Sequence, residues 1–527
     1  MTNLARNLVT LIQNAKAPLE ILKRGTEILV LMYSNDPDTY NDLLQAVFNL
    51  SDTKDTQTKV IFMYFIELLC DYCFQEDHIQ HFEQDLIKVF NQYIEDSEIK
   101  VRVGSCVAIS SFLTCIENKK QAKKYAGILP KLISTLIDAV KADENAGITT
   151  MQSLDEVIQQ HPELFKNELE DLFNIMVQIY KNQDFQDGLR NSALTIVESL
   201  ARDCDVYTRK SPNFKKMVMP SLLEVVSEID KIELKEWAED IDNQTAQRND
   251  TSVAAEDLIA KLCGSLKPKF MLTNFFPYIK QCMETNQWNA QYAGIMTVGL
   301  LAEGSSKFYK GELEGIAQMI LPFLEHNDPR VQHAAMTSVA LLCNEFAPDL
   351  QMKFNKPILN AIIKMMSDDR YLKVQKIACQ TIVNFGHSIV DEESEHKILT
   401  PYADDMLDCL VKLFSKSIDQ GLTTLLEDVL NGVSMISSVI DDGFAKHYDT
   451  FMPGLKKLLE EISNEDEVKS HLRFLAIETM GFVISSIRNQ ERSIDENDKI
   501  MEYFIGIQNR IEEDDPEHSA IYDFYCQ

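Results

Sequence analysis

A chain of 527 residues with 82 acidic against 51 basic side chains carries a formal charge of −31, so its field repels phosphate backbones and phospholipid headgroups and attracts basic partners. Nucleic acid is thereby disfavoured as a ligand, and no run of about 18 apolar residues offers a membrane span. Only 18 Gly and 15 Pro, with no sustained alternation of apolar and polar residues, point to helix throughout; eleven Cys in contexts such as Cys343 and Cys379 fit reduced core thiols of the cytoplasm and nucleus.

Residues 1–81 read as short amphipathic helices, with Leu4, Leu8, Leu11 and Ile12 on one face and Leu22, Ile28, Leu29 and Met32 on another. They close on Cys70, Cys73, His78 and His81, the ligand types of structural zinc. The spacing is tight and the four residues flank a helix junction where packing explains them, so no metal and no cofactor is expected. Over residues 82–228 helix pairs become regular: Asp85–Ile94 with Ile99–Ile116, Ile128–Val140 with Ala146–Gln160, and Leu164–Tyr180 with Leu189–Ala201. An aliphatic residue followed by Arg or Gln recurs at Val101-Arg102, Leu189-Arg190, Val331-Gln332, Val374-Gln375 and Leu472-Arg473. From Gln332 to Gln375 is 43 residues, one repeat, and from Arg102 to Arg190 is 88, two repeats, the period of HEAT and armadillo units. The fold expected is all-α: a HEAT-repeat solenoid, a right-handed superhelix of about ten to twelve stacked antiparallel helix pairs with a long concave surface. The recurrent Arg and Gln are predicted to form a hydrogen-bonded ladder between repeats.

Residues 229–251 break the rhythm. Glu236, Trp237, Glu239 and Asp240 lead into Asn243-Gln244-Thr245, a stretch too acidic and too poor in aliphatic residues to join a core. It is predicted to project as a mobile loop anchored by Trp237 alone. Pairs resume over residues 252–490: Phe270–Met283 with Ala290–Ala302, Leu313–Leu324 with Val331–Glu345, Ile358–Met366 with Val374–Ser388, Ala403–Phe414 with Leu422–Val439, and Tyr448–Ile462 with Leu472–Ile487. Residues 491–527 form a helical, acidic tail. With no Walker loop, nucleophile elbow, H-E-x-x-H or dinucleotide fingerprint, a binding protein is expected and not an enzyme.

From Lys235 to Leu459 the chain resembles the β-karyopherins, specifically the importin-5 family of nuclear import receptors. The residues that carry the resemblance are Glu236-Trp237-Ala238, Val253-Ala254-Ala255-Glu256, Trp288-Asn289-Ala290-Gln291-Tyr292-Ala293-Gly294 and Ala302-Glu303-Gly304. They continue with Leu321-Pro322-Phe323-Leu324, Asp328-Pro329-Arg330-Val331-Gln332-His333-Ala334-Ala335, Asn384-Phe385, and Tyr448-x-x-Phe451-Met452-Pro453-Gly454-Leu455-Lys456. The resemblance implies a receptor that shuttles between cytoplasm and nucleus, binds basic, lysine-rich protein cargo on its inner surface, and has the Ran GTPase and nuclear-pore repeats as further partners. It places Glu256, Glu303 and Asn384 on inner helices as cargo-binding residues, where carboxylates and amides hold ammonium groups by charge-assisted hydrogen bonds. At Ala260 the family has an acid, so cargo specificity is expected to differ. The chain is about half the family's usual length and starts about two repeats inside it, short of the repeats that grip Ran. It therefore reads as a fragment or as a natural short form, and a short form without GTPase control suits the alternative function, a scaffold held permanently in a larger assembly.

Overall fold

The structure, a computed structural model, describes residues 3–13, 17–36, 49–73, 76–241, 250–302, 311–387, 396–461 and 470–489, with a few single positions between them. Among the described residues all regular structure is helical and no strand occurs. The acidic tail from residue 506 onward lies outside them.

The longer helices in chain order are α1 (Asn3–Gln13), α2 (Leu19–Asn35), α3 (Thr56–Tyr72), α4 (Glu76–Tyr93), α5 (Ile99–Thr114), α6 (Leu129–Ala142), α7 (Glu144–Gln160), α8 (Leu169–Tyr180), α9 (Asp187–Asp203) and α10 (Met219–Val226). A short α11 (Leu234–Glu239) follows, then α12 (Thr251–Leu266), α13 (Pro268–Met283), α14 (Trp288–Leu300), α15 (Leu313–Ile320), α16 (Pro329–Glu345) and α17 (Asp349–Met366). The series ends with α18 (Leu372–Gly386), α19 (Ala403–Gln420), α20 (Thr423–Ile440), α21 (Tyr448–Glu461) and α22 (Ser470–Ser485).

Two compact units divide the chain: residues 1–225 with 249–270, and residues 226–248 with 271–527. In the first, α2, α3, α5, α7, α9 and α12 pack each on the next; in the second, α14, α16, α18, α20 and α22 do the same. These are the second helices of their pairs, as α7 follows and packs on α6, α9 on α8, α18 on α17, α20 on α19 and α22 on α21. Eleven such helices among the described residues fall within the expected ten to twelve repeats. The reason for stacking is burial: α16 hides Val331, Ala334, Ala335, Ser338, Val339, Leu342 and Cys343, more than one neighbour could cover.

Local chemistry starts these helices at defined points. Asp55, Asp143, Asp250 and Asp328 precede α3, α7, α12 and α16, and each carboxylate accepts a hydrogen bond from a backbone N–H of the first turn, of Thr58, Ala146, Ser252 and Arg330 in that order. The start of α17 differs from the sequence expectation. It begins at Asp349 and not at Ile358, bending at Phe354 (φ −125°, ψ 17°) because Pro357 has no N–H to donate and crowds the preceding turn, yet helix resumes beyond it.

Two of the recurrent residues, Arg190 and Gln375, make a bond beyond the predicted ladder. Arg190 Nε donates to the Tyr180 carbonyl at 2.7 Å, and Gln375 Nε2 to the Met366 carbonyl at 2.8 Å. Tyr180 and Met366 are the last residues of α8 and α17, so each side chain satisfies a carbonyl that its own pair's first helix leaves open. Links to the neighbouring repeat run, as predicted, from Arg102 Nη1 to Asp138 Oδ2 (2.8 Å) and from Lys416 Nζ to Gln375 Oε1 (3.2 Å). Gln375 is fully buried. Gln375→Leu therefore strands the Met366 carbonyl and is expected to lower the unfolding free energy by about 1 to 3 kcal/mol. Urea titration followed by circular dichroism checks this, and a variant as stable as the parent would refute the capping role.

Candidate functional site

The three cargo-binding candidates fall in different places. Glu256 lies on α12 in the first unit and is half-buried; Asn384 lies on α18 in the second and is half-buried; Glu303 lies outside the described residues, three positions after the end of α14. Repeat register adds a residue that sequence reasoning passed over. Glu345, the last residue of α16, follows Glu303 by 42 positions, one repeat, and is half-buried. The successive second helices α14, α16 and α18 thus have Glu303 just beyond the first, Glu345 closing the second and Asn384 two residues before the end of the third. At helix C-termini the open carbonyls carry partial negative charge, which adds to a carboxylate's attraction for an ammonium group.

Asn384 belongs to a polar stripe. Lys376, Gln380 and Asn384 are spaced four apart on α18 and so share one face. Gln380 Nε2 donates to Asp428 Oδ2 on α20 at 3.1 Å, and Lys376 Nζ donates to Thr424 Oγ1 at 3.0 Å and lies 4.0 Å from Asp428. Burial pushes the Asp428 carboxyl up to about 6, with Lys376 and Gln380 holding it back. The unfolded value is about 3.9, so between about pH 4 and 6 the folded chain binds the extra proton and gains stability as pH falls. From pH 7.5 to pH 5 this site contributes on the order of 1 to 2 kcal/mol of stabilisation. Asp428→Asn is expected to lose that share, read as a smaller rise in Tm on acidification; an unchanged pH slope would contradict it.

In the first unit the second helices carry further acids: Glu67 and Asp71 on α3, and Asp155 and Glu156 on α7. Burial, reinforced by the Asp71 charge, pushes Glu67 up to about 7, and burial likewise raises Asp71, Asp155 and Glu156. The spacing of Glu67 and Asp71, four apart on an otherwise apolar helix, is the signal that could have marked them. The side chains of His78 and His81 lie outside the described residues, and among the described residues no three His, Cys, Asp or Glu side chains gather for a metal ion.

The acidic insertion departs from a projecting loop over its first half. Glu236 and Glu239 are exposed, but Trp237, Ala238 and Ile241 are buried. The indole meets the His333 ring edge-on at 5.6 Å, and Lys373 Nζ sits 5.4 Å from its centroid. Asp240 pairs with Lys373 at 3.6 Å, and the Ile241 carbonyl accepts from Lys376 Nζ at 2.7 Å. Acid content misled the expectation: Trp237 is an anchor, but Ala238 and Ile241 share the burial, and Lys373 of α18 pairs with Asp240. Residues 242–249 lie outside the described residues.

Residues 27–175 match a family model described as IPO5-like, TPR repeats, and residues 182–273 match the importin repeat model. Importin subunit beta-3 of Saccharomyces cerevisiae is 24% identical over 438 residues, 82% of this chain and 38% of that protein. A probable importin-5 homolog of Dictyostelium discoideum is 22% identical over 490 residues, 90% of this chain and 43% of that protein. The karyopherin Kap121p, solved bound to the SUMO protease Ulp1p, superposes with a TM-score of 0.81 at 20% identity, covering 99% of this chain and 49% of that one. Kap121p bound to RanGTP superposes with a TM-score of 0.78 at 20% identity, covering 100% and 49%. The chain spans less than half the length of these relatives. The structural likeness establishes the HEAT-repeat fold, and the two family models and the curated relatives agree in what this chain is similar to, the importin-5-like β-karyopherins.

Proposed function

We propose that this chain is a cargo-binding section of a nuclear import receptor, moving between cytoplasm and nucleus, that holds lysine-rich protein segments on the second helices of its second unit. The observation that carries the reading is Glu345 and Asn384 near the C-terminal ends of the successive second helices α16 and α18, with Glu303 one repeat before Glu345 in sequence, in a chain of charge −31. Acceptors near the ends of successive second helices suit an extended basic peptide, whose ammonium groups meet carboxylate, amide and helix-end carbonyls in turn. Glu256 on α12 serves the same chemistry in the first unit. Kap121p has been solved with Ste12p, with Nup53p and with RanGTP. By that likeness the partners proposed here are basic cargo, pore proteins and Ran.

A labelled lysine-rich peptide and a glutamate-rich peptide of equal length, titrated against the chain, test the reading. Binding of the first alone, weakening as salt rises, supports it; equal binding of both, or of neither, rejects it. Adding RanGTP then separates two classes: release of the peptide supports a transport receptor, whereas indifference supports a basic-segment scaffold in a fixed assembly.

A further inference from the structure

Within the second unit, the segment from Ser227 to Ile241 crosses the first turns of three successive second helices, where it meets Asn289, Arg330, Lys373 and Lys376; Arg330 also holds Asp328 at 2.9 Å and Lys376 lies 4.0 Å from Asp428, while Lys373 pairs with the segment's own Asp240. Asn289 of α14 donates to the Ser227 carbonyl at 3.2 Å. Arg330 of α16, its guanidinium stacked 3.5 Å over the Trp288 ring, donates to the Ile232 carbonyl at 3.4 Å. Lys373 of α18 takes the Asp240 carboxylate and the Trp237 face, and Lys376 takes the Ile241 carbonyl. Lys373 and Lys376 are only 16% and 14% exposed beneath the segment. These cations sit in the first turns of α16 and α18, at the opposite ends of the helices from Glu345 and Asn384. They are in keeping with a site for an acidic segment.

We propose that Arg330, Lys373 and Lys376, with His333, form a docking site for an acidic, tryptophan-bearing segment of a partner protein, and that residues 232–241 are its resident occupant, an internal strap that such a segment displaces. The inference goes beyond the lysine-binding reading and does not depend on it. Recognition has two parts. Carbonyl acceptors at Ile232 and Ile241 are available from any backbone, whereas the indole of Trp237 and the carboxylate of Asp240, three residues apart, demand an aromatic residue followed by an acid in one helical turn. Exchange is favoured by the shortness of the strap's own regular structure. Its helix has six residues, too short to persist alone, and its buried anchors near these cations are Trp237, Ala238 and Ile241. Being tethered, the strap competes at about millimolar effective concentration, so the site stays closed until a partner segment binds well enough to overcome it.

The test uses a fluorescein-labelled peptide with the sequence of residues 232–241 as the acidic probe, titrated against the full chain. The parent chain is expected to bind it weakly. Asp240→Lys, which turns the strap's acid against Lys373, and separately Trp237→Ala, are expected to bind it at least tenfold more tightly, with affinity falling as salt rises. Adding Lys373→Gln and Lys376→Gln to either strap variant is expected to abolish the gain, and a Trp237→Ala version of the peptide is expected to bind at least tenfold less tightly. Far-UV circular dichroism identifies any unfolded variant; Asp240→Asn, the mildest change, then replaces it. Failure of folded strap variants to bind better than the parent would overturn the proposal, making the strap a structural element only. Binding that survives the lysine substitutions would also overturn it, because the peptide would then sit elsewhere.

Discussion

Gly299→Ala is expected to destabilise the second unit by about 2 to 4 kcal/mol. Gly299 lies on α14 where it meets α16, and a β-carbon there would stand 2.7 Å from Ser338 Cα and 2.7 Å from its Oγ. Backbone is in the way, so no rotamer relieves the clash. Ser338 is fully buried, and its hydroxyl donates to the Ile295 carbonyl at 2.7 Å, a bond that tolerates no widening of the helix pair. Alanine's better helix propensity, about 1 kcal/mol, is smaller than the cost of separating two packed helices. Gly264→Ala on α12 makes the comparison sharp, because nothing lies within 4 Å of a β-carbon there and the change is expected to stabilise by about 0.5 to 1 kcal/mol. Urea unfolding of both variants should give opposite signs. Equal stability for the two would mean that close approach of α14 and α16 does not limit this part of the fold.

Periodicity was legible in the sequence because it is imposed by burial: the aliphatic-Arg/Gln motif returns whenever a second helix must pack on two neighbours, and its 43-residue step located α16 and α18 directly. Only part of what the motif residues bond to was legible. Recurrence shows that Arg190 and Gln375 share a task, but only coordinates show that the acceptors are the end carbonyls of α8 and α17. Proline misled in the same local way, since Pro357 reads as a boundary while tertiary packing carries α17 through it with a bend. Composition misled over the insertion, where counting acids hid that Ala238 and Ile241 pack with Trp237 and that Lys373 and Lys376 wait on another helix more than 130 residues away in sequence. For the candidate site, Asn384 was found by family resemblance, while Glu345 was available from repeat register alone, 42 residues beyond Glu303.

Charge reversal at that site has the second large expected effect. Glu303→Lys and Glu345→Lys each remove an acceptor and set a like charge against the incoming ammonium group, so each is expected to weaken binding of a lysine-rich peptide by tenfold or more, about 1.4 kcal/mol or above. Glu303→Gln and Glu345→Gln keep an oxygen acceptor and lose only the charge, so a severalfold loss is expected. Asn384→Ala removes a neutral partner and should cost about 0.5 to 1.5 kcal/mol. The deciding measurement is a fluorescence anisotropy titration of one labelled lysine-rich peptide against the parent, Glu345→Lys and Glu345→Gln at low and moderate salt. The expected result is affinity in the order parent, Gln, Lys, with the differences shrinking as salt rises; equal affinity for all three folded proteins at low salt would contradict a cargo face on these helices.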